Sequence, residues 1–75
     1  MVRTLAVELG RKIREKRYQN SISQEQLALI TKIDRSYIGR IERGEVSITL
    51  EKLYQIAAGL NVSPQELLPD SNFFD

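Results

Sequence analysis

The sequence predicts an all-α fold, a compact bundle of five short helices that cross at steep angles. Three observations lead to this prediction. Apolar residues recur every three or four positions through most of the 75-residue chain, as expected of helices with one buried face. Residue types typical of helix starts precede these periodic segments. No segment alternates convincingly between apolar and polar residues, as a half-buried strand would. A chain of this length makes one domain, residues 1–75.

The first two predicted helices carry clear local signals. The first has apolar residues at every fourth position, namely Leu5, Leu9 and Ile13. Because Gly10 within it weakens the helix, we expect another helix to pack closely there. The second helix begins at Ser23, with Gln26 three residues later in the pattern of a capping box. Its expected inward residues are Leu27, Ala28 and Ile30.

The remaining three predicted helices also begin with residues typical of helix caps. Asp34 can cap the third, and Gly44 fits the left-handed position after its end. Ile38 and Ile41 are its inward residues. Thr49 can cap the fourth helix, whose apolar face is formed by Leu50, Leu53, Ile56, Ala57 and Leu60. The fifth has a cap, a first-position proline and a capping-box acid in order: Ser63, Pro64 and Glu66.

Composition excludes several classes of protein. The chain has no cysteine and no histidine, which removes disulfides, thiolate metal sites and the commonest general base. Neither an evident carboxylate pair nor a glycine-rich phosphate loop is present, so we expect no enzyme, no metal, no cofactor and no small-molecule ligand. Apolar runs are too short to cross a membrane, and the N-terminus lacks an apolar signal core. A soluble cytoplasmic protein is expected.

Charge is distributed unevenly along the chain. The overall net charge is only +1. Residues 1–43 nevertheless hold ten Lys or Arg against five acids, a net charge of +5, and residues 44–75 hold one Lys against five acids, a net charge of −4. The pattern indicates that the first part of the chain forms a basic surface and the second part an acidic, apolar surface. A chance gradient of solvated charges would look the same.

Residues 22–45 contain two very short helical patterns separated by a tight turn. Helices of two or three turns are marginal alone. They persist when packed against each other at a steep angle, as in a helix-turn-helix unit, here at about residues 23–43. In such a unit the second helix enters the major groove of DNA and the first crosses the sugar-phosphate backbone.

Four segments in order and spacing resemble the Xre-like, or lambdoid repressor-like, helix-turn-helix family: LGRKIREKR, SQEQLA, IDRSYIGRIERG and LEKLYQIAAGLNVS. The segment DRSYI…IERGE, in so short a chain, is most similar to the controller proteins of restriction-modification systems. The resemblance covers residues 5–68. It implies a five-helix lambda-repressor-like domain that binds double-stranded operator DNA as a homodimer, with a possible contact to RNA polymerase.

The resemblance places base-contacting positions on the first turn of the third helix, at Arg35 and Ser36, and contacts to bases are also expected from Tyr37 and Arg40. Arginine can donate two hydrogen bonds to guanine O6 and N7. Arg40 matches a position that faces either a base or a phosphate. Tyr37 lies off the inward face, so its ring could pack on thymine methyl groups or its hydroxyl could bind phosphate; a core position is the alternative.

Contacts to phosphate are expected at four other positions. The family uses a glutamine matching Gln24 there, beside the free N–H groups of a helix start. Arg43 ends the third helix, where a cation also suits the helix dipole. Ser47 and Thr49 could offer hydroxyl groups, although capping alone would explain Thr49. Glu45 departs from the family, in which this loop is often more basic.

Two further expectations concern how the domain is held together. In the family, the acid matching Glu42 pairs with an arginine of the first helix, and Arg17 has the corresponding spacing. The apolar residues near the C-terminus exceed what so small a core can hide, which favours a homodimer. The expected interface comprises Leu60, Val62, Leu67, Phe73 and Phe74. The two phenylalanines could instead fold back over their own core.

The sequence therefore predicts a sequence-specific transcriptional regulator that acts as a homodimer on a pseudo-palindromic operator and controls restriction-modification gene expression. A phage-type repressor has the same signals. An antitoxin or adaptor whose main partner is another protein is the alternative from a different class. The operator sequence and the direction of regulation stay open.

Overall fold

The computed structural model describes residues 5–70, in which the regular elements are all helical and no strand is present. The order of elements is α1 (Leu5–Gln19), α2 (Gln24–Thr31), α3 (Arg35–Glu42), α4 (Leu50–Leu60) and a single 3₁₀ turn (Pro64–Leu67). The all-α prediction is confirmed, but the count of five helices is wrong, since this range holds four helices and the 3₁₀ turn. None of the helices in the described range has the length and apolar content needed to cross a bilayer.

The fifth predicted helix forms only one 3₁₀ turn, although its start signals are in place. The backbone N–H of Ser63 donates to the Glu66 carboxylate at 2.9 Å, as in a capping box. Leu68, however, has extended dihedral angles (φ −85°, ψ 145°). Pro69 follows it, and a proline disfavours the α conformation at the preceding residue. The segment between Pro64 and Pro69 has room for one turn and no more.

The core draws side chains from every element. Its wholly buried large members are Ile13, Leu27, Ile38, Ile41, Ile56, Leu60 and Leu67. Leu60 and Leu67 were expected in a dimer interface, and this prediction is wrong, because both are fully buried within one monomer. They close the end of a small core and have no surface left for a second copy. Val62 is half-buried against that core, and Phe73 and Phe74 lie outside the described residues.

On α2 and α4, two residues expected to face inward are instead exposed. Ile30 is 57% exposed and Leu50 is 71% exposed. Helix α2 is only eight residues long, and Leu27 is its one buried residue. Leu50 is the first residue of α4, where the helix extends past the edge of the core. Apolar spacing therefore overestimated the buried face at both places.

Helix α1 crosses the last turn of α3 at Gly10, with almost no space between the two backbones. A Cβ atom on Gly10 would lie 2.3 Å from the carbonyl oxygen of Ile41 and 2.7 Å from that of Glu42. The close helix packing expected at this glycine is thus confirmed. Just beyond α3, Gly44 adopts a φ of +74°, and a Cβ there would lie 2.7 Å from the Cα of Val7. Both contacts fix the end of α3 against α1.

Replacing Gly10 with alanine is expected to destabilise the fold, because the new methyl group would overlap backbone atoms. We expect a loss of about 1–3 kcal/mol in the free energy of unfolding, as for other overpacked sites. Gly39→Ala is the matched control, since the nearest atom to its Cβ is the end of the Arg43 side chain at 3.2 Å. Denaturant unfolding measures both. A Gly10→Ala protein as stable as the wild type would contradict the close packing.

Candidate nucleic-acid interface

Helix α3 has one face turned into the core and another turned to solvent. The buried residues are Ile38, Gly39, Ile41 and Glu42. Ser36, Arg40 and Arg43 follow at spacings of four and three residues, which places them on one side of the helix and its cap. All three are exposed. Arg35, the first residue of the helix, is exposed as well. The structure thus presents three arginines and a serine along an accessible surface.

Asp34 precedes α3 and holds the hydroxyl of Ser36. The Ser36 hydroxyl donates a hydrogen bond to the Asp34 carboxylate, and this bond is the main reason why the pKa of Asp34 is lowered. A hydroxyl has one proton to donate and two lone pairs that accept. Ser36 is therefore left as an acceptor, which suits the amino groups of adenine and cytosine in the major groove.

Tyr37 lies between the core and the surface. It is half-buried and packs against the core cluster, and the Lys52 ammonium lies 5.7 Å from the centre of its ring. This distance is within the range of a cation–π contact. The contact joins α3 to α4, and it could not be predicted from the sequence because its fifteen-residue separation follows no local pattern.

The Arg17 guanidinium binds the Glu42 carboxylate in a two-point contact. Arg17 Nε lies 2.7 Å from Oε2 and Nη2 lies 3.0 Å from Oε1. Only 7% of the Arg17 side chain and 2% of the Glu42 side chain are exposed. The hydrogen bond from Arg17 to Glu42 is the main cause that raises the pKa of Arg17. Arg17 also donates to the carbonyl of Ile22 at 3.0 Å. The expected pair thus joins α1 to α3 in a buried position.

Two more residues converge on the same carboxylate. Gln24, the first residue of α2, donates its amide to Glu42 Oε1 at 3.0 Å. Arg14 Nε lies 3.8 Å from the same oxygen. From the sequence, Gln24 was expected to contact phosphate. Since an amide has two N–H bonds, Gln24 can use one for Glu42 and still have one for a phosphate. Glu42 therefore connects α1, α2 and α3.

Arg40 and Arg43 share a second carboxylate, that of Glu45. Arg43 Nε lies 2.7 Å from Glu45 Oε2, and Arg40 Nε lies 3.8 Å from Oε1. All three side chains are about half exposed. The hydrogen bond from Arg43 is the main reason why the pKa of Glu45 is lowered. Two of the cations expected to contact DNA therefore already have an acidic partner in the protein.

The loop before α4 carries the last two expected contacts. Thr49 Oγ1 accepts the backbone N–H of Lys52 at 3.1 Å, so its hydroxyl oxygen acts as a helix cap. Ser47 is exposed and borders an apolar groove of about 250 Å³, which is lined mainly by Leu5, Ala6, Leu9, Ile48, Leu68 and Pro69. Thr49 therefore acts as a helix cap, whereas Ser47 lies at the border of the apolar groove.

A protein-family model described as helix-turn-helix matches residues 11–67, most of the chain and all of α2 and α3. The chain belongs to the helix-turn-helix family. Its similarity to control proteins is also clear. This helix-turn-helix protein is 45% identical over 60 residues to control protein C.SmaI of Serratia marcescens, covering 80% of this chain and 71% of that protein. It is 36% identical over 69 residues to control protein C.BamHI of Bacillus amyloliquefaciens, covering 91% and 85%.

Solved structures give the same result. The restriction-modification controller protein C.AhdI from Aeromonas hydrophila has a TM-score of 0.82 with 38% identity, covering 84% of this helix-turn-helix protein and 96% of that chain. The controller protein C.Esp1396I, solved as a tetramer with its natural 35-base-pair operator, has a TM-score of 0.80 with 32% identity, covering 88% and 87%. The predicted family resemblance is confirmed.

Substituting Glu42 with glutamine is expected to destabilise the fold severely, because Arg17 would be left buried without a counter-ion. Breaking a buried pair in this way costs about 3–5 kcal/mol. Glu45→Gln is the matched control, since Glu45 also lies 2.7 Å from an arginine Nε but is 48% exposed. We expect little change there. Denaturant unfolding compares the two variants. If both were equally stable, the hydrogen bonds to Glu42 would not be needed to hold the fold together.

Proposed function

We propose that this protein is a sequence-specific transcriptional regulator that binds a pseudo-palindromic operator as a homodimer and controls restriction-modification gene expression. The observation that carries the proposal is the exposed face of α3, whose arginines project while its opposite face is anchored to α1 and α2 through Glu42. Similarity to the control proteins supports the biological role. This function needs no catalytic step.

In this proposal the N-terminal part of α3 lies in the major groove and reads base edges. Arg35 donates two hydrogen bonds to a guanine, and Ser36 accepts one from a base amino group, as its bond to Asp34 favours. Tyr37 offers the exposed part of its ring at the border with α4. Arg40, one turn and a half further on, contacts a base or the adjoining phosphate.

Phosphate contacts fix the position of the domain on the duplex. Gln24 offers its second amide N–H at the start of α2, where backbone N–H groups also point outward. Phosphates on the other side of the DNA major groove are contacted by Arg43, Ser47 and Thr49. Each phosphate that is neutralised releases counter-ions, so binding weakens steeply as the salt concentration rises.

The homodimer places two copies of α3 on successive turns of DNA, about 34 Å apart. The C.Esp1396I tetramer on its operator supports an oligomeric mode of binding. With Leu60 and Leu67 in the core, the interface uses apolar surface that stays accessible, at Val62 and at Leu68, which is 46% exposed. Residues 1–75 then act as one DNA-binding and dimerisation domain, and a bound dimer is in place to contact RNA polymerase.

Selection from random duplex DNA tests the proposed function, and Arg35→Ala tests its central contact. Wild-type protein is expected to recover inverted repeats whose half-sites lie a whole helical turn apart. Arg35→Ala is expected to lose the preference at one position in each half-site, since a bidentate contact supplies about 1–3 kcal/mol of discrimination.

Arg11→Ala is the control for this selection, because Arg11 is an exposed arginine on α1 that pairs with Glu8 and Glu15. It should recover the wild-type sequence. If Arg35→Ala weakened binding equally on every sequence, Arg35 would contact phosphate instead. If wild-type protein enriched no sequence, the proposed function would be wrong.

Leu68→Glu is expected to weaken the homodimer, because it places a charge on the accessible apolar surface of the C-terminal end. Sedimentation at several concentrations should show a shift toward monomer, and operator binding should become weaker. Leu29→Glu is the control, since Leu29 is 78% exposed on α2 and should leave the dimer unchanged. A Leu68→Glu protein that dimerises as the wild type does would place the interface elsewhere.

A further inference from the structure

The backbone turn after α3 fixes the position of Glu45, in addition to the hydrogen bond that its side chain accepts from Arg43. Gly44 has a φ of +74°, and the N–H groups of Gly44 and Glu45 donate to the carbonyls of Ile41 and Arg40, each at 3.0 Å. This is the pattern of a Schellman motif, which ends a helix and turns the chain back along it. The turn directs Glu45 toward the arginine face of α3.

We propose that Glu45 is an internal competitor of DNA, whose carboxylate occupies Arg40 and Arg43 in the free protein and must be exchanged for phosphate or base when the protein binds a duplex. The inference rests on the proposed function, because it assigns a role to a residue beside the proposed DNA-contacting arginines. It makes Glu45 a residue that sets affinity without contacting DNA itself.

For the arginines, exchanging a carboxylate for a phosphate brings little gain or loss in hydrogen bonding. Carboxylates and phosphates both accept hydrogen bonds from guanidinium groups in similar, often bidentate, geometry. Moving Arg43 from Glu45 to a phosphate therefore replaces one charge-assisted bond with another. The carboxylate left behind stays anchored by the Gly44 turn, where it repels the nearby phosphates. Since the ordinary pKa of a glutamate side chain lies well below 7, the released carboxylate remains charged at neutral pH.

Arg35 lies at the opposite end of α3 from Glu45, so the competition acts on one end of the proposed interface. Binding to DNA of arbitrary sequence depends on phosphate contacts, and Glu45 reduces the net charge available for them. Base reading by Arg35 and Ser36 is left in place. The expected consequence is lower affinity for every duplex, with unchanged preference at the positions that Arg35 and Ser36 read.

The test is Glu45→Gln, with Glu15→Gln as a closely matched control. Glu15 is also 48% exposed and pairs with a half-exposed arginine, Arg11, but it lies on α1. We expect Glu45→Gln to bind both the selected operator and an unrelated duplex about three- to tenfold more tightly, with a salt dependence steeper by up to about 0.9 in log–log slope. Glu15→Gln should bind as the wild type does.

A second comparison separates competition from simple repulsion. In an Arg43→Gln background, the gain from Glu45→Gln should shrink, because the main arginine that Glu45 occupies is gone. A gain that persisted in full would show direct repulsion of phosphate and overturn the exchange. A changed preference at the positions that Arg35 and Ser36 read would also overturn it, since the effect of Glu45 would then reach beyond the arginines it occupies.

The outcomes distinguish this inference from the proposed function. If wild-type protein binds no duplex selectively, both are wrong. If wild-type protein selects an operator and Glu45→Gln binds no more tightly than Glu15→Gln, the proposed function stands and the competition does not exist.

Discussion

The rest of this structure depends on the buried carboxylate of Glu42. Apolar contacts hold α3 against the core, but they are not directional and would tolerate rotation of so short a helix about its axis. Hydrogen bonds from Arg17 and Gln24 fix that rotation, because they reach one carboxylate from two other helices. A buried ion pair often contributes little net stability compared with an apolar replacement. Its role here is to determine which residues of α3 face outward.

Backbone contact at Gly10 and Gly44 completes this arrangement. An eight-residue helix is marginal by itself, and α3 is supported at its C-terminal end, where both glycines bring it against α1. The opposite end follows the short turn after α2, and its first residues, Arg35 and Ser36, are exposed. Support at one end and exposure at the other give α3 a fixed base and an accessible N-terminus, the geometry that entry into a groove requires.

Local features of the structure could be predicted from sequence and long-range ones could not. The capping box at Ser23 and the close approach at Gly10 each depend on a few neighbouring residues or on the absence of a side chain. The exposure of Leu50 depends on where the core ends, which spacing within one helix does not reveal. The prediction that Leu60 lies in a dimer interface was wrong for the same reason. At the site, the family resemblance identified the arginines of α3, whereas the link from Gln24 to Glu42 depends on how α2 and α3 pack.

The acids around α3 explain how a segment with no net charge can still present a basic surface. Residues 34–45 contain three arginines and three acids. Burial removes Glu42 from the surface, and Arg17, which comes from α1, neutralises it. Asp34 and Glu45 stay exposed, but each lies at one end of the helix and is bound by a neighbouring side chain. The arginine face between them is basic only locally, because Glu45 pairs with Arg40 and Arg43. A single domain should therefore bind DNA weakly, which makes occupancy of an operator depend on two copies acting together.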